Sequence, residues 1–124
     1  IRLGWCEIQD PGGSYDDVAL YRKLYQEGKI KLRIYKAVYG PTKDSARLLR
    51  EGASVGDFDD RFTLRTIKVV FDGALGSRGA ALLEPYSDDP KNTGLLLTPP
   101  EHLRDVATRA FRLTQSGTEQ TASS

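Results

Sequence analysis

The sequence predicts an α/β fold in which parallel strands alternate with helices. Three observations carry this. Short apolar, β-branched segments alternate along the chain with segments of helical apolar spacing. No Asn-Gly type hairpin signal joins the strands, so their connections read as crossovers. The 124 residues are 39% hydrophobic and 28% charged, which suits one globular domain. Roughly three parallel strands with helices make about half of a barrel, or a thin open sheet. A parallel sheet needs cover on both faces. A large apolar surface is therefore expected to want a partner, either further chain or a second copy.

Each element has its own signal. Leu3 to Asp10 is a mostly apolar segment stopped by Pro11, Gly12 and Gly13, and reads as a strand. Ser14 stands three residues before Asp17 in a short capping box. Val18, Tyr21, Leu24 and Tyr25 then recur at helical spacing and Gly28 supplies a stop, so a helix is expected over about 15–27. Lys29 to Tyr39 reads as a second strand, with Ile30, Leu32 and Ile34 alternating with charges and Gly40-Pro41 ending it. A shorter helix over Lys43 to Glu51 turns Ala46 and Leu49 inward and stops at Gly52. Gly56 to Asp60 reads as an exposed acidic loop.

Thr63 to Phe71 is β-branched and aromatic, a third strand ended by Asp72-Gly73. The connection from Gly73 to Pro99 exceeds ordinary loop length, and such loops are functional or disordered. Thr98, Pro99, Pro100 and Glu101 then form a helix start, with Thr98 as the cap. Leu103, Val106, Ala107 and Ala110 make the buried stripe. Residues 114–124 are polar with no stripe and read as a disordered tail behind a domain over 1–113.

Composition excludes several classes. Eighteen Lys and Arg against 17 Asp and Glu leave +1, which is no nucleic-acid footprint. No apolar run approaches the roughly 18 to 20 residues that span a bilayer, and no basic, then apolar leader opens the sequence. The expectation is a cytoplasmic chain with neither nucleic acid nor membrane as partner. A single cysteine, Cys6, excludes an internal disulfide framework and a Cys-cluster metal site. Cys6 reads as a small buried strand residue, and Trp5 as core or interface material.

Ligands of α/β folds gather at the C-terminal ends of parallel strands. The polar residues expected there are Gln9, Asp10, Lys68, Asp72, Ser77 and Arg78. Lys68 lies between Ile67 and Val69. A lysine in such a strand must pair, reach solvent or be chemically altered, because an isolated buried ammonium is costly. The plain reading is an amphipathic strand with Lys68 reaching the surface. The segment Gly73 to Gly79 lacks the Gly-Lys-Ser/Thr ending of a P-loop and the dinucleotide glycine spacing. Arg78 within it suits either clamping a carboxylate or pairing with a nearby acid. His102 has no second histidine beside it and reads as an exposed helix residue.

The run from Lys68 to Tyr86, with its Asp-Gly-Ala-Leu-Gly-Ser-Arg core at 72–78, followed by Ser-Asp-Asp-Pro and Thr93-Gly94-Leu95-Leu96, closely resembles the YtcJ-like branch of the amidohydrolase superfamily. These are metal-dependent hydrolases on a (β/α)8 barrel. Gly4 to Asp10, Leu20 to Leu24 and Leu32 to Tyr35 fit the second barrel strand, its helix and the third strand. The resemblance covers about residues 3–113 and implies a partial TIM barrel, strands two to four.

It implies that Lys68 falls on the fourth strand, where a carboxylated lysine can bridge two divalent metals, zinc being the expected one. Asp72 and Arg78 would join Lys68 in catalysis, and Ser77 and Arg78 would contact substrate. The parent would hydrolyse an amide or related C–N bond of a small molecule with a metal-activated water. The family's His-x-His pair belongs before residue 1, and its later histidines and aspartate after Phe111. Gln9 stands where a histidine often precedes the aspartate. Lys68 alone cannot assemble a metal site, so the isolated chain is expected to be inactive and metal-free. The alternative is a truncated half-barrel that self-associates, as a homodimer or higher oligomer, with a structural or small-molecule binding role.

Overall fold

The computed structural model describes residues 3–120, with side chains described as far as Arg112. The elements are β1 (Glu7–Asp10), α1 (Tyr15–Gln26), β2 (Arg33–Gly40), α2 (Lys43–Glu51), β3 (Ser54–Gly56), α3 (Asp57–Asp60), β4 (Phe62–Val69), a 3-10 turn (Leu75–Ser77) and α4 (Pro100–Gln120). The sheet order is β1-β2-β4-β3. β1, β2 and β4 run parallel and β3 is antiparallel on β4, so the fold is a mixed α/β with a four-stranded, mostly parallel sheet.

Local chemistry explains the helix starts. Ser14 and Asp17 exchange hydrogen bonds, Ser14 N–H donating to Asp17 Oδ2 at 2.7 Å, so the expected capping box at α1 is formed. Thr42 and Ser45 form a second box at α2. Gly52 closes α2 with φ 84°, a conformation that costs glycine little.

Packing is one-sided. Val18 and Tyr25 of α1 and Leu48 of α2 cover Ile34 and Val38 of β2 and Phe62 and Leu64 of β4. β2 alternates except at Ala37, which is buried on the face opposite Ile34 and Val38, and β4 shifts register opposite Lys36/Ala37, so Arg65 is the extra residue. Beyond that bulge the pairs Val38↔Ile67 and Tyr39↔Lys68 keep apolar residues on the helix face and put Lys68 on the other. That second face carries Glu7, Gln9, Arg33, Tyr35, Tyr39, Thr63 and Lys68. The open face is thus largely polar, where an apolar surface in search of cover was expected.

Several elements differ from the sequence reading. The second strand starts at Arg33, not Lys29, because Lys29 to Leu32 lead up to it after the Gly28 turn. The expected acidic loop, Gly56 to Asp60, follows the short β3 and forms the single turn α3, in which Phe58, Asp59 and Asp60 have φ of 58°, 58° and 60°. Aspartate tolerates this left-handed region better than most residues. Phe58 is held there by stacking on Tyr25 at 5.1 Å, and Asp57 pairs with Arg22 and Ser54.

The long connection is neither open nor structureless. Its ends are clipped together by Leu97 N–H to Phe71 O at 2.8 Å and by the Thr98 hydroxyl to Val70 O at 2.7 Å. The Thr98 hydroxyl ties the loop to the residue after β4, and α4 begins at Pro100, so Pro99 rather than Thr98 stands at the cap position. Tyr86, buried, donates to Ala80 O at 2.8 Å and centres the loop. Cys6 is exposed, and so is Trp5, because both precede β1, an edge strand that begins only at Glu7. α4 runs past Leu113 to Gln120, and residues 121–124 of the expected tail lie outside the described residues. Among the described residues no helix is long and apolar enough to cross a membrane.

Candidate functional site at the strand ends

Two clusters meet where the parallel strands end, one on each face of the sheet. On the helix face, the pair Asp10↔Lys36 closes the register of β1 on β2. Lys36 is 1% exposed. Its Nζ donates to Asp10 Oδ2 at 2.6 Å and to Gly12 O at 3.0 Å, and lies 3.7 Å from Asp17 Oδ2. The Tyr21 hydroxyl donates to the same Asp10 oxygen at 2.9 Å, and Lys36 sits 5.7 Å from the Tyr21 ring centre. A buried ammonium is tolerated when its donors are matched in this way.

The electrostatic consequences follow the geometry. Burial, then the hydrogen bond to anionic Asp10, pushes the Tyr21 phenol up to about 12. The Ser14 backbone N–H and then the Lys36 charge hold the Asp17 carboxyl below the usual value. The turn that follows β1 is built around this cluster. A Cβ at Gly12 would meet the Tyr39 ring at 2.5 Å, and one at Gly13, whose φ is +148°, would collide with Lys36 Nζ and Asp17 Oδ2.

On the open face lies a shallow cleft of about 370 Å³ lined by Gln9, Asp10, Tyr35, Ala37, Thr66 and Lys68, among others. Ala37 is the small residue that makes room for it. The Tyr35 hydroxyl accepts from Arg65 Nε at 2.8 Å and from the Thr66 hydroxyl at 3.0 Å. These two donors hold the Tyr35 phenol below its ordinary value. Lys68 is exposed, and no hydrogen bond or ion pair ties it to the described residues.

The other expected site residues sit in the long loop and are not among those lining the cleft. Asp72 Oδ2 accepts from Ala81 N–H at 3.0 Å and pins the loop. The Ser77 hydroxyl donates to Ala74 O at 3.1 Å inside the 3-10 turn. Arg78 grips Asp88 with two hydrogen bonds, at 3.1 and 2.8 Å. His102 is exposed on α4. Sequence reasoning passed over Lys36, Tyr21 and Tyr35. The signal for Lys36 was present: it falls in phase with Ile34 and Val38, so it shares their buried face.

The residues described do not by themselves fit a metal. Among them no group of three or more His, Cys, Asp or Glu is gathered. Asp10, the carboxylate nearest the cleft, is already committed to Lys36 and Tyr21.

Polar groups at the C-terminal ends of parallel strands mark where ligands gather in α/β folds, and similarity to known proteins narrows the class. No protein-family model matches the chain. It is 32% identical over 109 residues to LONG AFTER FAR-RED 3 of Arabidopsis thaliana, covering 87% of this chain and 17% of that protein. It is 31% identical over 100 residues to YtcJ of Bacillus subtilis (strain 168), named as an amidohydrolase, covering 77% of this chain and 18% of that one. Crystal structures of two uncharacterized metal-dependent hydrolases superpose well. That from Pyrococcus furiosus gives a TM-score of 0.65 at 26% identity, covering 86% of this chain and 22% of that one. That from Pyrococcus horikoshii gives 0.67 at 28%, covering 87% and 21%. The chain is amidohydrolase-like, and it spans under a fifth of the curated relatives it matches.

Proposed function

We propose that this chain is one segment of a larger metal-dependent hydrolase acting on an amide or related C–N bond of a small molecule. In this reading it supplies strands two to four of a (β/α)8 barrel, and the expected cytoplasmic location belongs with it. The single observation that carries it is Lys68. It stands on the open face at the end of a parallel strand, unpaired among the described residues, in a chain similar to metal-dependent hydrolases. Lys68 would serve as a metal ligand once carboxylated, with zinc as the expected metal and the remaining ligands supplied by other parts of the protein. Asp72, Ser77 and Arg78 would shape the rim of that site through the loop they order. Because the described residues do not fit a metal alone, the isolated chain should neither hold one nor turn over amides.

The test has two arms. On the polypeptide that contains this segment, metal content and hydrolysis of amide substrates should both be present, and both should be lost in Lys68→Ala. On the 124-residue chain alone, both should be absent. Stoichiometric zinc with turnover in the short chain would overturn the inactivity.

A second reading is self-association of this chain, favoured by the exposed side chains of Leu83, Leu95 and Leu97 on the long loop. Sedimentation of the purified chain tests it, and a stable monomer counts against it.

A further inference from the structure

The Asp10 carboxylate is held by one oxygen and free at the other. Its Oδ2 accepts from Lys36 Nζ at 2.6 Å and from the Tyr21 hydroxyl at 2.9 Å. Its Oδ1 accepts from no donor among the described residues. That oxygen is open to solvent, because no buried side-chain nitrogen or oxygen among the described residues lacks a hydrogen-bond partner. Asp10 is also the only carboxylate lining the strand-end cleft among the described residues.

Both anchors are themselves fixed. Lys36 is 1% exposed, and Gly12 O at 3.0 Å holds its ammonium from a second side. The β1–α1 turn closes over it so tightly that a Cβ at Gly13 would strike Nζ at 2.4 Å. The Tyr21 ring lies 6.2 Å from the ring of the fully buried Phe62. A carboxylate gripped by two immobile donors is already oriented before a ligand arrives, so its ordering costs the complex little. Lys36 also offsets the charge of Asp10 at its held oxygen. The free oxygen therefore suits a neutral donor better than a second cation, and a carboxylate can only accept.

We propose that the cleft takes an amide through its N–H, which donates to Asp10 Oδ1, and that Lys36 is the positioning residue that holds Asp10 for it. Pro11, Ala37, Ile67 and Val69 give the cleft apolar walls for the rest of the molecule, and about 370 Å³ admits a short one. The substrate class narrows accordingly to primary and secondary amides, since a tertiary amide has no hydrogen to give. The inference rests on the hydrolase reading for taking an amide as the ligand of this cleft.

The experiment titrates the 124-residue chain with N-methylacetamide, which carries an N–H, and with N,N-dimethylacetamide, which does not. The side-chain carboxyl resonance of Asp10 is followed by NMR. The first amide should give a saturable shift and bind about tenfold tighter than the second, as a hydrogen bond to a charged acceptor allows. Lys36→Met releases Asp10 to turn and should bring that ratio down to about twofold. Tyr21→Phe keeps the ring, removes the uncharged anchor and should bring it to about fivefold. A residue that only stabilised the fold would weaken both amides alike and leave the ratio where it was. Equal binding of the two amides, or a shift that never saturates, would overturn the proposal. So would an unchanged ratio in Lys36→Met, or in Tyr21→Phe where the first variant does not fold. No arm needs metal or turnover. Loss of the N–H preference therefore leaves the hydrolase reading standing, and a larger polypeptide without turnover leaves the binding result standing.

Discussion

Lys36 and Lys68 ride on strands that pair directly, β2 and β4, and both interrupt apolar runs. Their surroundings are opposite. Lys36 points into the helix layer and is 1% exposed, with Asp10, Gly12 O and Asp17 around its ammonium. Lys68 points from the uncovered face and meets no partner among the described residues. The difference teaches what each face is for. On the helix face a charge is spent inside the fold, fixing the turn between β1 and α1. On the open face a charge is left over, available to something outside the described residues.

The largest test of that contrast is a pair of like substitutions. Lys36→Met should destabilise the chain by about 3 kcal/mol, because it strands a partly buried carboxylate. Lys68→Met should stay within about 0.5 kcal/mol, as surface changes do. Urea unfolding of both variants checks this, and equal losses would break the distinction. The double variant Asp10→Leu with Lys36→Met sharpens it. Removing both charges should recover at least half of the single-variant loss, since the penalty comes from the unpaired partner rather than from a missing attraction. No recovery would mean that the cluster stabilises by packing alone.

A smaller effect is spectroscopic. Tyr21 should ionise at about 12 in the folded chain, and Asp10→Asn should bring that step down by removing an anionic acceptor that favours the neutral phenol. Ultraviolet titration, with Tyr21→Phe to assign the step, measures it. An unchanged step in Asp10→Asn would leave burial as the whole cause.

The smallest effect concerns Asp17. Its folded pKa is depressed, so its contribution is present above the unfolded value near 3.8 and is lost as pH falls through the lower folded value. Acid unfolding of Asp17→Asn should therefore depend less steeply on pH below about 4 than that of the parent. The carboxylate is half exposed, which keeps the change modest.

Much of the fold was legible because its signals are local. Ser14 with Asp17, and the glycines after each helix, act within one turn of chain, so the starts and stops of α1 and α2 could be read directly. β3 could not, since three residues inside a glycine-bounded loop show no alternation and pair only because β4 lies beside them. Thr98 was misread for a related reason. A threonine before prolines looks like a cap, but α4 begins one residue later, at Pro100, and the Thr98 hydroxyl donates to Val70 O at a strand end far away in sequence. Arg78 allowed two readings, and its grip on Asp88 became visible only once the loop closed.

The sequence by itself determined which residues share a face, because side chains alternate along a strand with period two. It also determined the order of the three parallel strands and of α1, α2 and α4, through hydrophobic spacing and capping. Which face receives the helices, and therefore which lysine is buried, was decided only by the tertiary structure. That choice depends on the register of β1 on β2, on the bulge at Arg65 and on where α1 docks. None of these is a property of a single segment. Each is an energy shared between segments distant in the chain, and it exists only when they meet.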